Sequence, residues 1–303
     1  MTDATSQIRE IARNLLSEGR VQTVLGYEEA PLGLGLRPAF VREPSGTGRL
    51  VFDARPTLGL ARYLPGEIAS ALARAEDGAA GSGGTTRGAT VAVVAKGCDV
   101  RAVLRLVADR RIRRENVILI GVPCSGSIDE ERFPRLIAKC SGCDARLPEG
   151  CDFTIETMAE PRPADRHRPL KVEDLEGMTA DERYTFWQRQ FARCIRCFAC
   201  RSVCPACGCR ECALESRSPV WLERDVNPST QSMFHFMRLM HTAGRCVDCG
   251  ECERVCPVGI PLTLLTRKLM SDIRTLFGVE HPETPGDSEP LARFGLSDPE
   301  EFI

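Results

Sequence analysis

Two runs of cysteines in the second half of the chain share one spacing, Cx2Cx2Cx3CP. The runs are Cys194, Cys197, Cys200 and Cys204, and Cys246, Cys249, Cys252 and Cys256. Three thiolates separated by two residues can hold three corners of an iron–sulfur cube from one tight loop, while the fourth thiolate arrives from elsewhere in the chain. The spacing therefore predicts two [4Fe–4S] clusters.

The fourth ligand of each cluster is expected from the other run, as in ferredoxins that hold two clusters. We therefore expect a first set, Cys194, Cys197, Cys200 and Cys256, and a second set, Cys204, Cys246, Cys249 and Cys252. Zinc sites and disulfides also use CxxC pairs. Zinc sites rarely place three cysteines at two-residue steps before Cys-Pro, so the pattern favours clusters.

The composition is typical of a redox protein from a reducing compartment. Sixteen cysteines among 303 residues indicate metal ligands or free thiols, and residues 1–20 read as an amphipathic helix rather than a signal peptide, so we expect a cytoplasmic location. The longest aliphatic runs, 91–95 and 117–122, are too short to cross a bilayer, which predicts no transmembrane segment. With 40 Lys plus Arg against 42 Asp plus Glu, nucleic acid is not an expected partner.

The length suggests about two domains. Pro161, Pro163 and Pro169 interrupt a charged stretch, and the cysteine-rich half begins soon afterwards. We predict an α/β domain over residues 1–170, a two-cluster domain over 180–278 and a tail over 279–303 that is rich in Pro and acid. The glycine-rich segment 78–88 is expected to be a surface loop.

The first half predicts an α/β fold with parallel strands. Candidate strands lie at 21–25, 50–52, 90–95 and 117–122, and an apolar-periodic helix runs through Val100, Val103, Leu104 and Val107. The last two strands and this helix form one βαβ unit. Gly33 and Gly35 form a GxG, but without the third glycine they do not predict a dinucleotide site.

Four cysteines in this half predict a third [4Fe–4S] cluster. Cys98 and Cys124 each follow the carboxyl end of a strand of the βαβ unit, where α/β folds bind ligands, and Cys140 and Cys143 form a CxxC pair. These four are called the N-terminal set. The alternative is that Cys98 and Cys124 are small core residues.

These motifs resemble the β-subunit family of coenzyme F420 hydrogenases and dehydrogenases over residues 10–160. The resemblance rests on KGCD followed by Arg101, on GVPCSG, on the Cys140–Cys143 pair and on Asp152. It implies FAD beside a [4Fe–4S] cluster held by the N-terminal set, with electrons passing between a two-electron carrier, often the deazaflavin, and a one-electron chain. Because they adjoin Cys98, we predict Lys96, Asp99 and Arg101 as flavin contacts.

Residues 180–275 resemble the helical two-cluster modules of heterodisulfide reductase. Phe236, Leu239 and Met240 lie at helical spacing before the second run, which favours a mostly helical domain. The order of the two domains resembles that of electron-entry or relay subunits. The resemblance implies as partners the other redox subunits of a hydrogenase, a formate dehydrogenase or a heterodisulfide reductase-like complex.

Four cysteines remain after three clusters: Cys151, Cys207, Cys209 and Cys212. They leave three interpretations open, which are a fourth cluster, a swapped ligand in one of the sets, and plain thiols.

We interpret the chain as an electron-transfer subunit that passes electrons between a two-electron carrier or a partner's flavin and its clusters. The sequence shows no convincing catalytic acid, base or nucleophile. One alternative is a flavin-free relay that holds clusters between two partner enzymes. A thiol-based heterodisulfide reductase, suggested by Cys207, Cys209 and Cys212, is a third interpretation.

Overall fold

The computed structural model describes residues 3–33, 35–79, 89–129, 135–157, 171–209 and 211–278. The chain divides into two compact units, Met1–Arg166 and His167–Ile303. Most of the predicted glycine-rich loop, the proline-containing segment 158–170 and the predicted tail 279–303 lie outside the described residues. Within the described ranges, no helix has the length and apolar character needed to cross a membrane.

The first unit is built around a sheet of five strands. Its elements in chain order are α1 (Ala4–Ser17), β1 (Thr23–Glu29), β2 (Leu36–Val41), α2 (Leu64–Ala79), β3 (Val91–Ala95), α3 (Gly97–Ala108), β4 (Val117–Gly121), β5 (Ile128–Asp129), β6 (Arg135–Leu136) and β7 (Phe153–Thr154). The sheet order is β2-β1-β3-β4-β7. All neighbours are parallel except β1 and β2, and β5 and β6 form a separate antiparallel ribbon. This confirms the predicted α/β class.

Three of the four predicted strands are confirmed, as β1, β3 and β4, and α3 provides the predicted crossover. The strand predicted at 50–52 is wrong. These residues follow a 3-10 turn at Pro44–Arg49, and the Val51 N–H donates to the Tyr27 carbonyl at 2.8 Å without forming a ladder. The predicted loop at 78–88 begins later than expected, because α2 continues to Ala79.

Strand β2 was missed because its sequence carries breaker residues. Gly33 and Gly35 adopt positive φ angles of 72° and 82° in the turn before it, which is a conformation that favours glycine. Pro38 lies within the strand itself. A sheet edge tolerates proline because its missing N–H is not needed by an outer neighbour, and β2 is the edge strand.

One part of the core of the first unit lies between helix α1 and the sheet. Helix α1 buries Ile8, Ala12 and Leu15 at helical spacing against the sheet, where they join Val94 of β3 and Ile120 of β4. All five residues of β3 are buried, as expected for a central parallel strand covered on both faces. This packing fixes the carboxyl ends of β3 and β4, which carry Cys98 and Cys124.

The second unit is helical over its described residues, as predicted. Its helices are α4 (Val172–Glu176), α5 (Ala180–Phe191), α6 (Ala199–Ser202), α7 (Pro228–His241), α8 (Glu251–Arg254) and α9 (Leu262–Phe277). Thr179 caps α5 by accepting from the Glu182 N–H, and Asn227 caps α7. Helix α7 confirms the predicted helix before the second run, but it exposes Phe236 and Met240 and buries His235 and Arg238.

The two cysteine runs have the same backbone conformation. Arg196 and Phe198 have φ angles of 49° and 58°, and Asp248 and Gly250, at the equivalent positions of the second run, have 49° and 67°. Each run then forms a single helical turn, α6 or α8. The shared spacing therefore corresponds to a shared loop structure.

Helix α3 begins in close contact with the segment that follows Cys143, which gives a prediction about Gly97. A Cβ atom on residue 97 would lie 2.4 Å from the Ala145 carbonyl oxygen, whereas one on Gly66, in α2, would meet nothing within 4 Å. Gly97→Ala should therefore lower the free energy of unfolding by about 1–3 kcal/mol, because backbone must move. Gly66→Ala should leave it unchanged or raise it by about 0.4–1 kcal/mol.

Anaerobic thermal unfolding followed by far-UV circular dichroism compares the two variants. Equal melting temperatures for Gly97→Ala and Gly66→Ala would contradict the close packing.

Candidate metal centres

The N-terminal set lines one cavity in the first unit. This cavity, with its opening to solvent, has a volume of about 360 Å³, and all four cysteines line it: Cys98, Cys124, Cys140 and Cys143. Because β3 and β4 are parallel, with Ala95 opposite Gly121, the chain leaves both strands at the same sheet edge. The structure therefore brings together the four residues that the sequence assigned to one site.

Backbone N–H groups point at the sulfur atoms of this set. The Gly126 N–H donates to Cys124 Sγ and the Ser127 N–H donates to Cys140 Sγ, each at 3.3 Å. Burial raises the pKa of the Cys98 thiol to about 12 and also raises the pKa of Cys124. In the absence of metal these groups are neutral, and a metal that replaces their protons would create buried thiolates with donors already in place.

Two buried lysines line the same cavity, Lys96 and Lys139. Lys96 Nζ lies 2.8 Å from Asp99 Oδ2, so its charge is partly balanced. Lys139 was missed by the sequence analysis, where its only signal was its position beside Cys140. Ammonium groups beside a cluster of thiolates offset the negative charge that the cluster adds to a buried site.

The three predicted flavin contacts form bonds within the first unit. Lys96 Nζ donates to the Tyr27 hydroxyl and to the Leu58 carbonyl, and the Asp99 carboxylate accepts from the Leu60 N–H at 2.9 Å. Arg101 forms an ion pair with Asp144, at 2.7 Å. Of the three, Lys96 lines the cysteine cavity. As flavin contacts, they stay a prediction.

Cys151 lies apart from the N-terminal cavity. Its Sγ lies 2.6 Å from the point where a Cβ on residue 121 would stand, so it packs against the end of β4 at a position that only glycine permits. It does not line the cavity that contains the N-terminal set. Its role, as a further ligand or a plain thiol, stays a prediction.

The second set lines a cavity in the second unit. This cavity, of about 400 Å³ with its opening, is lined by Cys204 from the first run and by Cys246, Cys249 and Cys252 from the second. Burial raises the pKa of Cys246 and of Cys252 to about 12, and the pKa of Cys249 also lies well above its ordinary value. The chain therefore places one cysteine of the first run among three of the second.

The first set shows the reciprocal arrangement. Burial raises the pKa of Cys194 and Cys200, and the nearby sulfur of Cys256 adds to both shifts. The Arg196 N–H donates to Cys194 Sγ and the Ile260 N–H to Cys256 Sγ, each at 3.4 Å. Cys256 of the second run therefore lies beside the cysteines of the first.

The described residues contain no three His, Cys, Asp or Glu side chains that converge on the position of one metal ion. Each thiolate of a [4Fe–4S] cluster binds a different iron, so the ligands of a cube stand farther apart than those of a single zinc ion.

The remaining cysteines of the second unit have different surroundings. The Cys207 thiol donates to the Cys204 sulfur, which lowers the pKa of Cys204 to about 6 and raises the pKa of Cys207. Cys212 packs against the core of the second unit, and Cys209 is exposed. Cys207 therefore lies beside Cys204, and its role as a swapped ligand stays a prediction.

Arg238 was missed by the sequence analysis. It is only 5% exposed, donates from Nη2 to the Cys200 carbonyl at 3.3 Å, and lines the second-set cavity. Burial opposes its charge, but the nearby sulfur atoms of Cys252, Cys204 and Cys200 outweigh burial and raise the pKa of the guanidinium. Nothing in its sequence position indicates this role, since it lies on α7, outside both runs.

His235 is a packing residue. Its ring stacks on Phe191 with centroids 4.6 Å apart, and burial, aided by the charge of Arg238, lowers its pKa to about 4.

Comparison with known proteins defines the class to which these sites belong. Residues 190–260, which contain both cysteine runs, match a 4Fe-4S dicluster domain. Over 92 residues the chain is 37% identical to the F420-dependent formate dehydrogenase subunit beta of Methanocaldococcus jannaschii. That match spans 30% of this chain and about a quarter, 24%, of the relative.

A second relative matches over a longer region. The F420-dependent formate dehydrogenase 1 subunit beta of Methanococcus maripaludis is 25% identical over a match that covers 63% of this chain and 72% of the relative. Together the matches confirm the resemblance predicted from the motifs, a β-subunit-like domain followed by a two-cluster ferredoxin domain. They support an iron–sulfur protein of the electron-transfer type.

The contrast between Cys98 and Cys151 gives a prediction about iron content. Anaerobically prepared protein should contain about 12 iron atoms per chain, and Cys98→Ser should lower this by about 4, because one cube loses a ligand. Cys151→Ser should keep the full content. Elemental analysis with a protein assay measures both, and about 8 iron atoms in the unmodified protein would contradict a cluster at the N-terminal set.

His235 gives a prediction about acid stability. Its pKa of about 4 in the folded chain lies below the ordinary histidine value of 6.5, so the unfolded chain binds more protons between these two pH values. The stabilisation is complete above pH 6.5 and is lost as pH falls, which amounts to about 2 kcal/mol between pH 7 and pH 5.

His235→Phe should remove this part of the pH dependence, whereas replacing the exposed His241 by Gln should retain it. Anaerobic guanidinium unfolding at pH 7 and pH 5 compares the variants. The same pH dependence in His235→Phe as in the unmodified protein would contradict a buried neutral imidazole.

Proposed function

We propose that this chain is the iron–sulfur subunit of a multi-subunit oxidoreductase, in which three [4Fe–4S] clusters exchange electrons with a two-electron carrier and with partner subunits. The observation that carries the proposal is the second-set cavity, where Cys204 of one run meets Cys246, Cys249 and Cys252 of the other. Two-cluster ferredoxins, which transfer single electrons, also take one ligand of each cluster from the other cysteine run.

The residues around the clusters hold them and adjust their potentials. Backbone N–H donors to Cys124, Cys140 and Cys194 stabilise negative sulfur, and Lys96 and Lys139 add positive charge beside the N-terminal set. Hydrogen bonds donated to sulfur and nearby positive charges raise the reduction potential of a cluster, because they stabilise its more negative, reduced form. The protein supplies positions and potentials, and no side chain is required as an acid, base or nucleophile.

The first set offers the route by which electrons leave the second unit. Cys197 is exposed, whereas Cys194 and Cys200 of the same set are buried and the four cysteines of the second set are all partly covered. Electron transfer between proteins depends on close approach of the redox centres. We therefore assign exchange with a partner subunit to the edge of the first set that Cys197 marks.

The names of the relatives support F420 as the two-electron carrier and a formate dehydrogenase as the complex. A carrier that gives up two electrons together requires a group that can release them singly, and FAD supplies this chemistry when bound. We propose FAD in the first unit, near the N-terminal set, and a partner subunit as the site of substrate oxidation.

A flavin-free relay is the second candidate. It is favoured by the bonds that the predicted flavin contacts already make, since Lys96 and Asp99 are buried and paired with each other and Arg101 is paired with Asp144. In this version both the donor and the acceptor are other proteins.

Flavin content and reduction by a carrier separate the two candidates. Anaerobically purified protein should release roughly one FAD per chain on acid extraction, and F420H2 should reduce its clusters faster than NADH does. Intact clusters without flavin would establish the relay. Protein that holds no iron after anaerobic preparation would contradict both.

A further inference from the structure

Arg238 lies between the two cluster sites of the second unit. It donates to the carbonyl of Cys200, a member of the first set, and it lines the cavity formed by the second set. Its side chain is 5% exposed, and its Nε has no hydrogen-bond partner. Within the described part of the chain, the buried guanidinium therefore has one protein partner, a carbonyl, at Nη2 and a buried Nε–H group that no protein atom accepts from.

Two other arginines near the cluster sites are paired with carboxylates, whereas Arg196 donates to the Glu223 and Asp225 carbonyls. Arg254 forms an ion pair with Glu251 at 2.8 Å, and Arg267 forms one with Asp248 at 2.9 Å. Among the described residues, no carboxylate forms an ion pair with Arg238, and the groups that raise its pKa are the sulfur atoms of Cys252 and Cys204 of the second set, of Cys200 of the first set, and of Cys207. An unpaired buried charge is strongly unfavourable, so the balancing charge must come from the sulfur and iron of the clusters.

We propose that Arg238 is a positioning residue shared by the two clusters, which raises the reduction potential of both. This inference rests on the proposed function, because it requires that both sets hold clusters. Reduction adds one electron to a cluster and breaks no bond, so the reduced form carries one more negative charge. A fixed cation in a poorly solvated interior stabilises that form, and Arg238 faces both sets.

If Arg238 raises both potentials, both cubes would accept an electron from donors of similar potential. Two electrons released singly from a two-electron carrier would then be held one on each cluster. Without the cation, the negative charge of one reduced cube would oppose reduction of the other more strongly.

Substitutions of Arg238 in the full chain test the proposal. Arg238→Gln removes the charge, Arg238→Lys keeps it, and Arg254→Gln removes a neighbouring charge that Glu251 already balances. Iron and sulfide content is measured first, and potentiometric titration monitored by electron paramagnetic resonance then gives the midpoint potential of each cluster.

The expected result is that Arg238→Gln keeps its iron and shifts both midpoint potentials to more negative values. The shift should be about tenfold or more in each one-electron equilibrium constant, which corresponds to about 59 mV. Arg238→Lys and Arg254→Gln should stay close to the unmodified protein. Unchanged potentials in Arg238→Gln, a shift of one cluster alone, or an equal shift in Arg238→Lys would overturn the proposal.

A further variant covers the case in which Arg238→Gln loses iron. Arg238→Met fills the same buried space with an apolar chain and is titrated in its place. If both neutral variants lose iron and Arg238→Lys retains it, the result supports the requirement for charge, whereas loss in all three indicates a purely structural role and overturns it. An unmodified protein without clusters would instead contradict the proposed function.

Discussion

Burial of cysteine sulfur is the constraint that both units share, and we propose that coordination of iron by deprotonated sulfur satisfies it. Burial raises the pKa of Cys98, Cys246 and Cys252 to about 12, so that none of these side chains carries charge unless a metal replaces its proton. The surroundings nevertheless suit thiolates, with N–H donors aimed at sulfur and with Lys96 and Arg238 buried beside them. Lys96 is already paired with Asp99, whereas no carboxylate among the described residues pairs with Arg238, so the ionised sulfur of the proposed clusters would balance the charge of Arg238.

In the second unit, one cysteine of each run lies beside the cysteines of the other run. Each cluster would tie the loop of one run to the end of the other, through Cys204 in one direction and Cys256 in the other. The two runs share a left-handed backbone at equivalent positions, so each loop presents its sulfur atoms in the same way. Helix α7 joins the runs and carries Arg238 to the space between the two sites. The segment that joins the two runs therefore also places a positive charge beside both sites.

Sequence reasoning succeeded where the chemistry is local. The cysteine spacing, the βαβ unit and helix α1 follow from periodicity and from short motifs, and the cavity at the ends of β3 and β4 follows from parallel pairing. It failed where contacts between distant parts of the chain determine the structure or the role of a residue. Strand β2 contains Pro38 and follows two glycines, so only its position at the sheet edge explains it. Lys139 and Arg238 carry no motif, because their role depends on cysteines brought near them by the fold.

Anomalous diffraction at the iron edge, from anaerobically grown crystals of the full chain, would locate the clusters and their ligands. We expect three separate four-iron peaks, one bounded by the N-terminal set and one by each of the two mixed sets of the second unit. The mixed sets are Cys194, Cys197, Cys200 and Cys256, and Cys204, Cys246, Cys249 and Cys252. Two peaks, single-metal peaks at the zinc edge, or cubes in which each run supplies all four of its own ligands would contradict this expectation.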